Sequence, residues 1–276
     1  MIFLFWQQST KVSEIQNLLK QFSSKGDLES IKQIFAYVNQ QNINVGNVRD
    51  MISESQGKSF TSISAQEHLS PLIEAAKKGH AQVCEYFISQ QSADIDAKNN
   101  YFSGYNYYTY DSIDYITTWT ALMVAVDCNQ TEVIKVLLRH NPDIRAQDHC
   151  GYHATYIAAC KGYVDALKML VRKDRHVIDF RGPDGMTPLI AASIGRVDGR
   201  VDICKYLVQQ KNANVDLKDK FGGTALTYAS NPVIIDILKK NRKYQYLKSD
   251  TNGGLFVQKS VRKHGNGNTE IRLSPV

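Results

Sequence analysis

Apolar residues recur along the chain in short helical stripes rather than in strict alternation. After Ala75-Ala76-Lys77-Lys78-Gly79-His80 come Val83, Cys84, Phe87 and Ile88, and after Ala158-Ala159-Cys160-Lys161-Gly162 come Ala166, Leu167, Leu170 and Val171. Positions i, i+1, i+4 and i+5 make one buried stripe on a helix. The small pair ahead of each stripe lets two antiparallel helices approach closely, and the glycine frees the chain into a tight turn. Each such segment predicts a helix, a turn and a second helix.

The unit repeats. Ser70-Pro71-Leu72, Thr120-Ala121-Leu122, His153-Ala154-Thr155, Thr187-Pro188-Leu189 and Thr224-Ala225-Leu226 fill one recurring slot, spaced 50, 33, 34 and 37 residues apart. A period near 33 predicts a stacked repeat architecture in which each unit buries its apolar face against its neighbours. Asp148-His149-Cys150-Gly151, Gly182-Pro183-Asp184-Gly185 and Asp219-Lys220-Phe221-Gly222 supply turns between units, and Thr187 and Thr224 can cap the helices that follow.

Turn, slot and small pair together resemble the ankyrin-repeat family, whose pattern D-x-x-G-x-T-P-L-H-x-A-A-x-x-G is matched by residues 185–192 and 219–226. The resemblance covers residues 66–240. A degenerate earlier copy places Leu19, Phe22, Ser23, Gly26, Ile31, Ile34 and Phe35 at the matching offsets, which brings the expected array to six repeats with the first as an amino-terminal cap. The expected fold is an all-α solenoid of helix-turn-helix units with hairpin-like fingers. The expected divisions are an extension at 1–9, a capping repeat and long connector at 10–65, repeats at 66–240, and a basic tail at 241–276.

Departures from the period carry the individuality of the chain. Residues 101–119 enlarge the finger between repeats two and three and hold six of the fifteen tyrosines, with Phe102 and Trp119. Tyrosine-rich loops offer a large amphipathic contact area at low side-chain entropy cost, and long loops in compact domains are often functional. The competing expectation is that these rings fold back and seal the groove. Repeat five carries a tandem Gly195-Arg196-Val197-Asp198 and Gly199-Arg200-Val201-Asp202, which lengthens its inter-helix turn, while Ser230-Asn231-Pro232 shortens that of repeat six. The second helix of repeat six is expected over Val233–Lys240, ending the solenoid; the tail offers a hairpin from 255–261 and 269–273 about Gly265-Asn266-Gly267-Asn268.

Charge changes the picture only at one end. Of a net +6 over 276 residues, the tail holds +5, so any polyanion-binding expectation, toward nucleic acid or an anionic surface, is confined to it. The five cysteines (Cys84, Cys128, Cys150, Cys160, Cys204) include no C-x-x-C pair and are expected as free thiols in a reducing compartment. The opening Met1-Ile2-Phe3-Leu4-Phe5-Trp6 lacks a basic flank and gives way to Gln7-Gln8, unlike a signal peptide, and no apolar run is long enough to span a bilayer. A cytoplasmic monomer is expected, with the nucleus as the alternative compartment.

Searches for chemistry find little. No P-loop, dinucleotide fingerprint, G-x-S-x-G elbow or H-E-x-x-H is present, and Asp111 with Asp114 lacks a partnering acid, base or metal box, so no enzyme, cofactor or metal is expected. His149, Cys150, His153 and Cys160 are zinc-compatible residues but occupy structural positions of the repeat, His153 filling the Thr slot. His80 is expected to hydrogen-bond a turn.

The ankyrin resemblance implies recognition of a partner protein or peptide. The exposed, variable positions of that family map here onto Trp119, Asp127, His149, Tyr152, Lys161, Met186 and Phe221. The finger adds Tyr105, Tyr107, Tyr108, Tyr110 and Tyr115 as candidate contacts. The order of features, including the aromatic and acidic insertion with Tyr110-Asp111, is also similar to the amino-terminal half of the Fem family of ubiquitin-ligase substrate receptors. That resemblance implies capture of a carboxy-terminal degron, although nothing after repeat six matches a cullin-binding element.

Overall fold

A computed structural model describes residues 12–40, 52–53, 69–102, 116–194, 199–249, 256–263 and 269–275. Helix pairs follow one another as the repeat predicts. Repeat one is α1 (Val12–Lys25) and α2 (Leu28–Gln40). Repeat two is α3 (Pro71–Lys78) and α4 (Ala81–Gln91). Strands β1 (Asn99–Phe102) and β2 (Ile116–Trp119) form the finger root ahead of repeat three, α5 (Ala121–Asp127) and α6 (Thr131–Arg139). Repeat four is α7 (Ala154–Lys161) and α8 (Val164–Lys173). Repeat five is α9 (Pro188–Ser193) and α10 (Arg200–Lys205), the latter running on as a π-helical turn over Tyr206–Gln210. Repeat six is α11 (Ala225–Tyr228) and α12 (Pro232–Ser249).

First helices stack on first helices and, from α4 onward, second helices on second helices, so one apolar core runs through the array. Phe35 of α2 continues the second row, meeting Tyr86 of α4 at 5.9 Å between ring centroids. The recurring slot starts the first helices of repeats two to five by the same device. Ser70 Oγ accepts from Ile73 N–H at 3.4 Å, Thr120 Oγ1 from Met123 N–H at 3.4 Å, and Thr187 Oγ1 from Ile190 N–H at 3.3 Å. His153 does the same through Nδ1, accepting from Tyr156 N–H at 3.3 Å, which fixes the remaining ring proton on Nε2.

First helices end in left-handed residues: Gly26, Gly79, Asn129 and Gly162 have φ of 72°, 86°, 54° and 75°. The carbonyl two residues before each of them is left without a helical partner. In each case the next repeat supplies the donor. His80 Nε2 donates to Ser24 O at 3.0 Å, Gln130 Nε2 to Lys77 O at 3.1 Å, Lys161 Nζ to Asp127 O at 3.3 Å, and Arg200 Nη2 to Cys160 O. The turn bond expected of His80 thus crosses to the preceding repeat. Between repeats five and six a backbone bridge, Ile194 to Ala229, stands at the inter-helix turns.

One helix boundary differs from expectation. The helix expected to stop at Lys240 continues as α12 to Ser249, because residues 241–249 contain neither glycine nor proline to end it. Beyond it β3 (Phe256–Lys263) and β4 (Thr269–Pro275) pair antiparallel, with Lys263 opposite Thr269 and Val261 opposite Ile271. The extension at 1–9, most of the 36–65 connector and the first copy of the repeat-five tandem lie outside the described residues. Of the connector, Ser53 is buried and ties in, its Oγ accepting from Asp94 N–H at 2.7 Å. Among the described residues no helix is long and apolar enough to cross a membrane.

Candidate functional site

The enlarged finger is rooted by two short strands in the register Asn99 to Trp119, Asn100 to Thr118, Tyr101 to Thr117 and Phe102 to Ile116. Asn99 locks the first residue pair: its Oδ1 accepts from Ser70 N–H at 2.7 Å and its Nδ2 donates to Ser53 O at 2.9 Å. This register makes Tyr101 and Trp119 diagonal neighbours on one face. Their rings stack with centroids 5.0 Å apart at 24°, and both are buried.

Each ring carries a polar atom that needs a partner once buried. Tyr101 donates its phenol to Asp127 Oδ2 at 2.9 Å, at the carboxyl end of α5. Trp119 donates Nε1–H to Asp148 Oδ2 at 2.8 Å, in the next finger. Asp127 places its other oxygen 2.7 Å from Lys161 Nζ of repeat four, while Lys77 Nζ of repeat two lies 5.4 Å over the Tyr101 ring. Three consecutive repeats, two to four, therefore meet at the finger root. Burial, reinforced by the Asp127 charge, holds the Tyr101 phenol well above its ordinary pKa, and burial also raises Cys128, whose Sγ is 3.4 Å from the same oxygen.

Asp148 and Asp219 repeat one arrangement at their turns. Asp148 Oδ1 accepts from Cys150 N–H at 2.9 Å and Tyr152 N–H at 2.8 Å; Asp219 Oδ1 accepts from Phe221 N–H at 2.9 Å and Gly223 N–H at 2.8 Å. Their second oxygens take Trp119 and, for Asp219, the Tyr228 hydroxyl at 2.6 Å. In the intervening finger the aspartate is replaced by Gly182, where a Cβ would sit 2.8 Å from the Tyr156 ring. Tyr156 fills the space an aspartate would need.

The candidate contacts divide sharply. His149 and Phe221 are exposed at finger tips, Phe221 at 70%, and Lys161 is partly exposed. The expected exposure of Trp119, Asp127, Tyr152 and Met186 is corrected: all four are buried, because β1 and the neighbouring fingers close over them. Tyr105, Tyr107, Tyr108, Tyr110 and Tyr115 lie outside the described residues, as does the Tyr110-Asp111 pair behind the Fem likeness. Missed from sequence were Lys77, Tyr101 and Asp148; Tyr101 stood in the finger, yet its role depends on the strand register. His149, Cys150, His153 and Cys160 make no cluster, and no three acidic, His or Cys side chains among the described residues form a metal site.

Stacked helix pairs joined by turn-based fingers define an ankyrin-type solenoid. A family model for ankyrin repeats matches residues 19–148, 101–181 and 155–248, most of the chain, and the chain belongs to that family. It is similar to Neurogenic locus notch homolog protein 1 of Xenopus laevis, 31% identical over 125 residues, covering 44% of this chain and 5% of that protein. It is also similar to Protein phosphatase 1 regulatory subunit 12A of Mus musculus, 27% identical over 136 residues, covering 46% of this chain and 13% of that protein. The matches thus span a small fraction of these relatives' length. Its repeats make the chain a protein–protein interaction module.

Proposed function

We propose that this module is a non-catalytic adaptor that captures a partner protein or peptide with its tyrosine-rich finger and the adjoining inner surface. The observation that supports the reading is the investment in the finger root: Tyr101 and Trp119 are stacked, buried and tied by separate aspartates to two different repeats. A root fixed in this way lowers the ordering cost of presenting the segment between the strands to a partner. Lys161 and the tip residues His149 and Phe221 are accessible contacts on the following repeats and fingers, Phe221 being the aromatic suited to anchor an interface. The cytoplasm or nucleus is the compartment proposed, in keeping with five unpaired cysteines.

The test replaces residues 103–115 with a short Gly-containing turn while keeping Tyr101 and Trp119, and compares partners captured from lysate with those of the intact chain. Equal circular dichroism establishes that both are folded. Loss of partners with the segment supports the reading; an unchanged set overturns the role of the finger.

A further inference from the structure

Of the donors that cross from one repeat to the preceding one, Arg200 stands apart in its charge balance. Gln130 is uncharged, and Lys161, partly exposed, sets its ammonium 2.7 Å from Asp127 Oδ1. His80 is partly exposed as well. Arg200, the first residue of α10, is only 3% exposed, and a guanidinium keeps its charge throughout the pH range of folded proteins. Its Nη2 donates to Cys160 O. Nε and Nη1 are buried and have no hydrogen-bond partner among the described residues.

A buried charge is stable when an opposite charge meets it, because its lost hydration is otherwise uncompensated. Among the described residues no side chain supplies that charge. Asp202, two positions along α10, is exposed and turned to Lys205 Nζ at 3.5 Å. Asp165 of α8, which packs against α10, is exposed too. Burial pushes the thiols of Cys160 on α7 and Cys204 on α10 up to about 12, although the Arg200 charge acts in the opposite direction on each. Both are therefore neutral near pH 7, and the charges that act on them, Arg200 and Lys161, are cations. The carbonyl end of α7 offers only partial charge, through the bond to Cys160 O.

We infer that Arg200 holds a small monovalent inorganic anion, of the size and charge of chloride, between repeats four and five. One guanidinium balances one negative charge, and a divalent oxyanion would bury a charge of its own in excess. Space favours a small ion as well. The turns of the two repeats close together beside Arg200, where a Cβ on Gly199 would meet the Gly162 carbonyl. The N–H groups of Nε and Nη1 are the donors, and charge-assisted bonds of this kind are stronger than neutral ones. The ion joins repeat five to repeat four alongside the Cys160 bond, so the cohesion of this junction follows the anion concentration. The inference is independent of the tyrosine finger and of any partner protein.

The test follows urea unfolding of the full chain over about two decades of chloride, with the larger anion gluconate holding the ionic strength constant. The wild type is expected to gain up to about tenfold in its folding equilibrium constant per decade of chloride above the dissociation constant, the slope for one bound ion. Arg200→Gln removes the charge and keeps an amide donor for Cys160 O, as Gln130 serves Lys77 O at 3.1 Å, and is expected to fold and to lose the dependence. The chloride NMR line is expected to broaden with the wild type and to narrow again when nitrate displaces the ion, a readout that does not need the variant. Equal chloride dependence in the wild type and Arg200→Gln, or a line that nitrate leaves broad, would place the ions elsewhere and overturn the site. A wild type indifferent to chloride would overturn it as well. If the dependence then appeared in Asp198→Asn, the counter-charge would be a carboxylate of the chain itself.

Discussion

Asp127 divides its carboxylate between Tyr101 and Lys161, giving one oxygen to each, and thereby couples the finger root to repeat four. Removing the phenol leaves a buried carboxylate short of one donor. Tyr101→Phe is expected to destabilise the chain by about 1–3 kcal/mol in urea unfolding. Asp127→Ala removes both ties and leaves a partly buried ammonium behind, so it is expected to cost more. Equal stabilities for wild type and Tyr101→Phe would show that the hydrogen bond adds nothing.

Trp119 provides an optical probe of the same root. In a Trp6→Phe background its emission is expected to be blue-shifted and poorly quenched by acrylamide, since the indole is fully buried against Tyr101. Trp119→Phe retains an aromatic surface but leaves Asp148 Oδ2 without the indole donor, at an expected cost of about 1–3 kcal/mol. Red-shifted, readily quenched emission would contradict the closed root.

His153 makes stability depend on pH. Burial lowers its pKa from 6.5 to about 3, so at neutral pH the ring is uncharged in folded and unfolded chains alike and contributes no pH dependence. As pH falls from about 6.5 toward 3, the unfolded chain takes up the proton first and stability declines. The slope from this group approaches about 1.4 kcal/mol per pH unit. His153→Thr, which restores the hydroxyl cap of the other repeats, is expected to flatten that slope in urea titrations between pH 7 and pH 4 (about the span of the effect). An unchanged slope would assign the acid sensitivity elsewhere.

Two glycines with nearly the same backbone conformation should respond differently to alanine. Gly199 and Gly222 have φ of 83° and 82°, but a Cβ on Gly199 runs into the Gly162 carbonyl, whereas one on Gly222 meets nothing within 4 Å. Gly222→Ala is expected to cost about 1–2 kcal/mol from the left-handed backbone alone. Gly199→Ala is expected to cost about 3 kcal/mol or more, because the overlap is with backbone of the preceding repeat. Thermal unfolding of the two variants measures the difference.

Local chemistry was legible in the sequence wherever a residue acts within its own repeat. The hydroxyl slot marked the starts of first helices, Gly79 and Gly162 marked ends, and even His153 could be placed as a stand-in for threonine. Residues that act across repeats were not legible in this way. Asp148 is recognisable as the start of a turn, but its second oxygen reaches back 29 positions to Trp119. Trp119 and Tyr152 stand where the family exposes variable side chains, and only the pairing of β1 with β2 over the inner helix shows that they are enclosed. The extension of α12 escaped notice because a polar, basic stretch lacks the apolar stripe by which the other helices announce themselves.

The carbonyl ladder gives the array a direction. Because the first helices of repeats one to four borrow a terminal donor from the repeat that follows, a repeat removed from the carboxyl side of these strips a bond from the one left behind, while a repeat removed from the amino side takes only an acceptor with it. His80, Gln130, Lys161 and Arg200 thus make the chain a one-way scaffold, whose growth by duplication is seamless only when the new copy carries a donor facing backward.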